Sequence, residues 1–413
     1  MQVSVEKTNN LGRRIKITIP AEEIKNLVQT KLIHVAQKVR LDGFRQGKVP
    51  LKIVSQRYGM SILHEVLTDL MQEKLITIMN QNNLVPVGKV NYIPWEYKEG
   101  NDFTYVIEFD IYPEIKLKEF DCIKVKKPMV EVNKQDVDNM LVELCRRQGV
   151  WNTVNRPVKF WDRVTIELIN LENDEINKIH SLILIIEPKS MDFDLDQKIL
   201  GHKIGENFIV ELNFPDEETN QIITTKFSIV LKKIEECQVP ELNEELIKHL
   251  GVPETEGSIV KLRDEIRKNM QRELKNTVRH FIKLQIFHGL LMNNKIEVPI
   301  SLLETELKNS FQPSGIKKLF PHSLLEKQAK NRVTLGLLLN EVIRINKLQV
   351  EERRIQSLRK YFRKNNETMK TIHKLVLEDM AVELIMNQCV ITEEKIPFQD
   401  LRKMIVKYEQ YLI

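Results

Sequence analysis

The sequence predicts a multidomain α+β protein, and three changes of pattern along its 413 residues support that class. Residues 1–112 show strand-like alternation of apolar and polar side chains at both ends, with helical spacing between them. Residues 151–240 are dominated by short strand patterns, and residues 241–413 repeat apolar side chains every three or four positions. We therefore expect an α+β N-terminal domain, a β-rich middle domain and an all-α C-terminal domain, with residues 113–150 as an extended linker followed by one helix.

The N-terminal domain is predicted to open with a β-hairpin. Two apolar–polar alternating runs are separated by the turn residues Asn9–Gly12. Helical spacing follows over Ala21–Val39 and Ile53–Asn80, and strand alternation returns at Phe103–Ile111. The alternating residues of the hairpin are Val3, Val5, Ile15, Ile17 and Ile19.

The linker is predicted to end in a helix, and the middle domain that follows is predicted to be a sheet. Asn133 is a typical helix N-cap, and Gly149 is placed to end the helix. Four apolar runs bounded by polar or turn residues then indicate strands, and Pro240 marks the end of the domain. The predicted strands are Val164–Leu168, Leu182–Ile186, Phe208–Leu212 and Phe227–Leu231.

The C-terminal domain is predicted to be helical. From Ile259 to Phe281 the apolar spacing is that of one long amphipathic helix of about six turns. Ser301 and Glu304 form a capping-box pattern directly after Pro299, so a second helix is expected to begin there. Further amphipathic stretches are predicted at residues 324–346, 350–364 and 371–388.

Composition and charge exclude several classes of protein. With 42% apolar and 29% charged residues, the chain has the balance of a folded globular protein, and its net charge of +5 is a mild basic bias. The four cysteines are far apart and the nine histidines are scattered, so we expect neither a disulfide framework nor a metal site. No G-x-x-x-x-G-K-[ST] pattern occurs, and no cofactor is expected. Because no leader peptide and no apolar run of membrane-spanning length is visible, we expect a cytoplasmic protein without a membrane partner.

The loop between the first two predicted helices carries the main functional prediction. Its two glycines and its proline predict a tight turn that faces Phe44, Arg45 and Lys48 outward. Six basic residues and one acidic residue lie within residues 38–57. An exposed aromatic ring beside cations suits docking to carboxylates or phosphates. The alternative, on these residues alone, is a solvated basic loop in which Phe44 caps the local core.

The same loop resembles the ribosome-docking signature Gly-Phe-Arg-x-Gly-Lys-x-Pro of bacterial trigger factor. Segments of the other domains are also similar to that family, so the resemblance covers most of the chain: Asp162–Ile166, Gly201–Lys203, Leu231–Lys233, Arg267–Lys275 and Gly336–Arg344. The resemblance implies a ribosome-binding N-terminal domain, an FKBP-like middle domain and a helical substrate-binding domain. The residues that match the signature are Gly43, Phe44, Arg45, Gly47, Lys48 and Pro50.

The resemblance also implies a function and partners. The implied function is that of a chaperone that meets nascent polypeptides at the ribosomal exit tunnel and assists their folding, and the missing nucleotide pattern indicates that it works without ATP. The implied partners are the large ribosomal subunit near the tunnel, both its protein and its ribosomal RNA, together with nascent and unfolded polypeptides. A weak homodimer away from the ribosome is a further implied partner.

The middle domain of the family resembles FKBP-type peptidyl-prolyl isomerases. Their chemistry needs an aromatic pocket and a backbone donor rather than a nucleophile or a metal. The family's first-strand phenylalanine corresponds here to Leu168, and its pocket turn corresponds to a run that contains Asp192, Phe193 and Leu195. Burying the three aspartates of that run would cost several kcal/mol, so they are expected to face water.

This degenerate pocket predicts that the domain keeps its fold and has little isomerase activity, and no catalytic residue is assigned. The alternative is a shifted alignment in which Phe193, Phe208 or Phe214 rebuilds a pocket. Two other functions therefore compete with the chaperone hypothesis. One is an active peptidyl-prolyl cis–trans isomerase, and the other is a general RNA-binding protein that uses the basic loop.

Overall fold

The computed structural model forms two compact units. The first unit combines Met1–Glu114 with Ile296–Thr305, and the second combines Ile115–Lys295 with Glu306–Ile413. No described helix is both long and apolar enough to cross a membrane. The structure describes residues 2–8, 10–42, 44–45, 47–82, 84–93, 97–98, 100–171, 180–187, 195–216, 221–242, 246–247, 258–310, 322–356 and 369–412.

The first unit is a four-stranded antiparallel sheet with two helices packed on one face. The strand order is β1-β2-β4-β3, and each neighbouring pair is antiparallel. The predicted hairpin and both predicted helices are confirmed, although Asn9 of the predicted turn lies outside the described residues. The elements are β1 Gln2–Lys7, β2 Gly12–Ile19, α1 Ala21–Lys38, α2 Leu51–Gln81, β3 Pro86–Tyr92 and β4 Phe103–Ile111.

The core of this unit lies between the sheet and α2. Ile15, Ile17 and Ile19 of β2 stand opposite Ile107, Tyr105 and Phe103 of β4, and all six side chains are fully buried. The inward-facing residues of α2 close this layer. The alternating apolar and polar residues that predicted the two strands are therefore the residues that face the core and the solvent in turn.

Residues 296–305 complete the first unit, which the sequence analysis did not anticipate. The helix predicted to begin after Pro299 is confirmed as α6, Ile300–Ser310, but the predicted capping box at Ser301 is wrong, because the helix already includes that residue. Instead, the Ser301 amide donates to the Asp110 carboxylate at 2.9 Å, and the Ser301 hydroxyl donates to the Val87 carbonyl at 3.2 Å. The cap is thus supplied by β4, and the contact covers part of the edge of β3.

The middle domain belongs to the second unit and is a five-stranded antiparallel sheet. Its order is β6-β10-β7-β8, and β9 pairs with the first half of β10. All four predicted strands are confirmed, and each is longer than or shifted from its predicted range. The elements are β6 Val150–Thr153, β7 Arg163–Asn170, β8 His180–Ile185, α4 Leu195–Ile199, β9 Asn207–Asp216 and β10 Gln221–Gln238.

Helices form most of the rest of the second unit. The predicted N-cap is confirmed, since Asn133 and Asp136 form a capping box at the start of α3. A parallel pair of strands, β5 and β11, was not predicted. Residues 357–364 of one predicted helical stretch lie outside the described residues. The elements are β5 Lys124–Met129, α3 Lys134–Arg147, α5 Ser258–Asn293, α7 His322–Ile345, α8 Met369–Gln388, β11 Val390–Lys395 and α9 Phe398–Leu412.

The long helix α5 is the support on which β5 lies. The carboxamide of Gln285, which is buried, accepts from the Lys126 amide at 2.9 Å and donates to the Lys126 carbonyl at 2.8 Å. One turn further along α5, Gly289 lies directly under Ile123, and a Cβ at Gly289 would be 2.6 Å from Ile123 Cγ2. Only glycine therefore lets the chain before β5 approach the helix this closely.

We predict that Gly289→Ala destabilises the second unit by about 1–3 kcal/mol, because the added methyl group overpacks Ile123. The matched control is Gly336→Ala in α7, where a Cβ would have no neighbour within 4 Å. That change is expected to stabilise the unit by about 0.5–1 kcal/mol through helix propensity alone. Calorimetric midpoints that move in opposite directions support this packing, whereas two equal increases would contradict it.

Candidate functional site

The loop between α1 and α2 is built from two consecutive tight turns. The Phe44 amide donates to the Leu41 carbonyl at 3.0 Å, and the Lys48 amide donates to the Arg45 carbonyl at 3.0 Å. Gly47 has φ +80°, which is the conformation that the third position of a type II turn requires. Gly43 lies outside the described residues.

The loop is held by its last apolar residue rather than by its signature residues. Val49 is 6% exposed and packs with Ala36 of α1 and Val54 of α2. Val49 was not predicted as a functional residue, because it occupies a variable position of the signature. The sequence signal that could have identified Val49 is its apolar side chain between Lys48 and Pro50. Val49 therefore fixes the position of the loop against α1 and α2. The tip of the loop remains free to contact a partner.

The tip of the loop presents an aromatic ring among cations, as predicted. Phe44 is 39% exposed, and Arg45 and Lys48 are exposed on either side of it in sequence. Among the described residues, no carboxylate forms an ion pair with Arg45, Lys48 or Lys52. These three positive charges are therefore available to an external anion.

The start of α2 adds a second electropositive feature to the loop. Pro50 is its N-cap, no side chain caps it and its first turn contains no acidic residue. By contrast, α1 also follows a proline, yet its first amide donates to the Asp102 carboxylate at 2.9 Å and its first turn contains two glutamates. Helix N-termini attract anions through their unpaired amides and the helix dipole. In this unit, the described carboxylates neutralise the start of α1 but not the start of α2.

The two predicted pocket positions of the middle domain that the structure describes are buried in its core. Leu168 of β7 and Leu195 of α4 are each 1% exposed and belong to the core of the domain. Phe214 of β9 is fully buried in the same core. Phe208 packs against the core and its ring stacks on His202, with the ring centroids 3.8 Å apart. Asp192 and Phe193 lie outside the described residues.

One aspartate of the predicted acidic run is buried, which corrects the expectation that all three face water. Asp196 is 4% exposed, and its carboxylate accepts from the Glu187 amide at 3.1 Å. The hydrogen bond offsets the cost of removing this carboxylate from water. Asp196 therefore joins α4 to the segment that follows β8, as a structural group.

Two buried carboxylates of the middle domain were not singled out from the sequence. Asp162 is 2% exposed and receives both terminal nitrogens of Arg156, at 2.6 and 2.9 Å. Glu235 of β10 lies opposite Arg163 of β7, and the Arg163 guanidinium donates to it at 2.9 Å. The Arg163 hydrogen bond, followed by that from Lys233, lowers the pKa of Glu235 to about 2. These ion pairs join neighbouring segments of the domain.

A groove in the second unit is a candidate for binding an apolar segment. It has a volume of about 590 Å³ and lies between the end of β5 and the middle of α5. Met129, nearly half exposed, stands at its wall, and Glu131 and Lys275 add opposite charges. The remaining lining residues are Pro128, Val130, Val132, Gln271, Leu274 and Val278.

These features define a multidomain α+β protein whose first unit presents an aromatic-tipped basic loop. A family model described as bacterial trigger factor protein matches residues 1–144, and the model of its C-terminus matches residues 258–396. Together the two matches span more than half of the chain. The chain therefore belongs to the bacterial trigger factor family of ribosome-associated chaperones.

The chain is also similar to a solved structure of the trigger factor chaperone, described in connection with promiscuous substrate recognition in folding and assembly activities. The two sequences are 15% identical and the TM-score is 0.46. The similarity covers 94% of this chain and 100% of that chain.

We predict that Glu235→Gln destabilises the protein at pH 7 by about 1–3 kcal/mol and makes it less sensitive to acid. Because the folded-state pKa of Glu235 is about 2 and the unfolded value is about 4.3, its contribution is present above pH 5 and disappears as the pH falls towards 2. The measurement is urea unfolding between pH 3 and 7. The control is Glu211→Gln, which removes an exposed pair with Lys226 and is expected to change little. Equal effects of the two variants would contradict the role of Glu235.

Proposed function

We propose that this protein docks on the large ribosomal subunit through the loop at residues 43–50 and shields nascent polypeptides without using ATP. Membership of the trigger factor family supports the general role of a ribosome-associated chaperone. The observation that carries the docking proposal is the exposed Phe44 between cations that pair with no described carboxylate, on a loop anchored by Val49. The absence of a nucleotide-binding pattern in the sequence supports a cycle of spontaneous binding and release.

The loop is suited to a surface made of both protein and RNA. An aromatic side chain that fills a small apolar pocket supplies most of the contact energy of many interfaces. Arg45, Lys48 and Lys52, together with the start of α2, favour phosphate oxygens or carboxylates around that pocket. We therefore infer that Phe44 contacts a ribosomal protein pocket while the cations contact adjacent ribosomal RNA. A protein that works at this site acts in the cytoplasm.

The charges of the loop are also expected to speed the encounter with the ribosome. Long-range attraction between a basic loop and a polyanion raises the association rate and falls as salt is added. A general RNA-binding protein would bind arbitrary RNA through the cations alone and would not need the ring of Phe44. The contribution of the ring therefore distinguishes ribosome docking from general RNA binding.

We predict that the double variant Phe44→Ala/Arg45→Ala loses at least about tenfold in affinity for ribosomes, because it removes both the exposed aromatic ring and one cation of the loop. The measurement is co-sedimentation with ribosomes at physiological salt. The matched control is Tyr112→Ala/Lys116→Ala, which removes another exposed aromatic ring and one more exposed cation outside the loop. We expect the control to sediment like the wild type.

Two results would reject the docking proposal. If both double variants sediment as well as the wild type, the loop is a solvated surface feature. If the control loses as much affinity as the loop variant, the binding depends on overall charge and the RNA-binding alternative is favoured.

We further propose that the middle domain is a weak or inactive prolyl isomerase. Catalysis would need an apolar, aromatic-lined pocket that favours the twisted amide. Leu168 and Leu195 are instead packed within the core, where their side chains contact other core residues and not a substrate. Replacing Leu168 with phenylalanine would overpack this core and is not expected to restore a pocket.

We predict that the full chain accelerates cis–trans isomerisation of a proline-containing peptide by less than about twofold at micromolar concentration, since the uncatalysed barrier of about 18–20 kcal/mol would be nearly unchanged. A protease-coupled or NMR exchange assay measures this rate. A saturable acceleration of a hundredfold or more would overturn the proposal and favour the isomerase alternative.

The third part of the proposal concerns clients. The groove between β5 and α5 combines apolar walls with one acidic and one basic side chain, which suits segments of mixed sequence. Methionine at its wall adapts to side chains of different shape. We therefore infer that the second unit offers an apolar surface to unfolded polypeptides. A weak homodimer away from the ribosome is part of the same proposal, with sedimentation velocity at several concentrations as its test.

A further inference from the structure

The outer edge of β1 has free backbone groups. The Thr8 amide donates to the Gly12 carbonyl at 3.2 Å, which sets the phase of the β1–β2 ladder. Bonded and non-bonded pairs alternate in an antiparallel ladder, so the even-numbered residues of β1 bond to β2. Val3, Val5 and Lys7 then direct their N–H and C=O groups to the outer edge. No residue in the described part of the chain hydrogen-bonds to them there.

The side chains along this edge are apolar on one face only. Val3 and Val5 stand opposite Ile17 and Ile15, which are fully buried, yet the two valines are 38% and 44% exposed. The row of apolar side chains that forms the core of the sheet thus continues to the edge and stops there. On the other face, Ser4 and Glu6 alternate with the valines and stay in the solvent.

β1 lacks most of the features that usually protect a strand edge. Natural edge strands are commonly interrupted by proline, a bulge or inward-facing charges. The register between β1 and β2 runs without a shift from Gln2 to Lys7, and only Lys7 places a charge in the apolar row. At the opposite side of the same sheet, β3 has a register shift and its Val87 carbonyl is bonded by Ser301. The two edges of this sheet therefore differ in their capacity to accept a strand.

We propose that the edge of β1 binds an extended segment of an unfolded polypeptide, which adds to the sheet as an antiparallel strand. The bonds are made by main-chain groups, so they fit any sequence except at proline, and Val3 and Val5 favour a segment with apolar residues at alternate positions. This mode of recognition rests on the chaperone function proposed above and gives it a defined site.

A second copy of the chain is the competing occupant, and the size of the edge argues against it. Six residues of strand extend for only about 20 Å. A pair of such edges buries far less than the roughly 1,200 Å² that specific, stable protein interfaces need. A transient contact of this size suits a client that must be released and not a lasting dimer.

The test uses the full chain and three synthetic peptides of alternating valine and threonine. The first peptide is unmodified, the second is N-methylated at each valine and the third is N-methylated at each threonine. When the valines share a face with Val3 and Val5, the valine amides of the peptide point at β1. We expect methylation at valine to weaken binding about tenfold or more and methylation at threonine to leave it unchanged, as measured by fluorescence anisotropy.

Hydrogen exchange of the protein supplies an independent readout. Binding of the unmodified peptide is expected to slow exchange of the Val3, Val5 and Lys7 amides, while the Ser4 and Glu6 amides, already bonded to β2, change little. The variant Val5→Pro removes one outward donor without removing a bond to β2, and it should weaken peptide binding about fivefold or more. Val5→Thr keeps the donor, and it serves as the matched variant if proline disturbs the fold.

Three results would overturn the proposal. The first is equal binding of the two methylated peptides, and the second is peptide binding without protection of the three outward amides. The third is protection that grows with protein concentration in the absence of peptide while the sedimenting mass doubles, because a second copy then occupies the edge. Ribosome sedimentation of Val5→Pro distinguishes a failure of the strand-addition proposal from a failure of the docking proposal. Docking depends on the loop at residues 43–50 and is expected to be unchanged in this variant.

Discussion

Backbone groups at the edges of strands need hydrogen-bond partners, and the side chains that supply them hold each unit of this protein together. In the second unit, Gln285 pairs with both backbone groups of Lys126, across 159 positions of sequence. In the first unit, Ser301 pairs with the Val87 carbonyl across 214 positions. The first unit is therefore completed by a segment that is synthesised long after its sheet. Where no such side chain is supplied, at β1, the edge is open to a partner.

In the loop at residues 43–50, the residue that packs against the helices is not one of the residues proposed to dock. Val49 is buried between the two helices, while Phe44, Arg45 and Lys48 are exposed at the tip of the loop. Substitutions at the tip are thus expected to alter docking without unfolding the domain. The middle domain shows the opposite arrangement, since Leu168 and Leu195 of its predicted pocket contribute to its core.

Sequence reasoning succeeded where the structure depends on local pattern. The hairpin, α1, α2 and the β-rich middle domain follow from periodicity, and the exposed tip of the loop follows from its glycines and charges. It failed where a distant partner decides the outcome. All six residues of β11 are exposed and three of them are charged, and β11 becomes a strand by pairing with β5. Asp196 is buried and accepts from the Glu187 amide, nine positions away and outside its own helix, and the cap of α6 comes from Asp110 instead of from the helix's own sequence. Such contacts carry no periodic signal.

The central claim is that the ring of Phe44 touches the ribosome, and a photo-crosslinking residue placed at that position tests it most directly. The same residue at Tyr112, which is half exposed and outside the loop, is the control. The account predicts crosslinks from position 44 to components of the large subunit near the exit tunnel, and none from position 112. Crosslinks from both positions, or from neither in samples where the protein co-sediments with ribosomes, would contradict it.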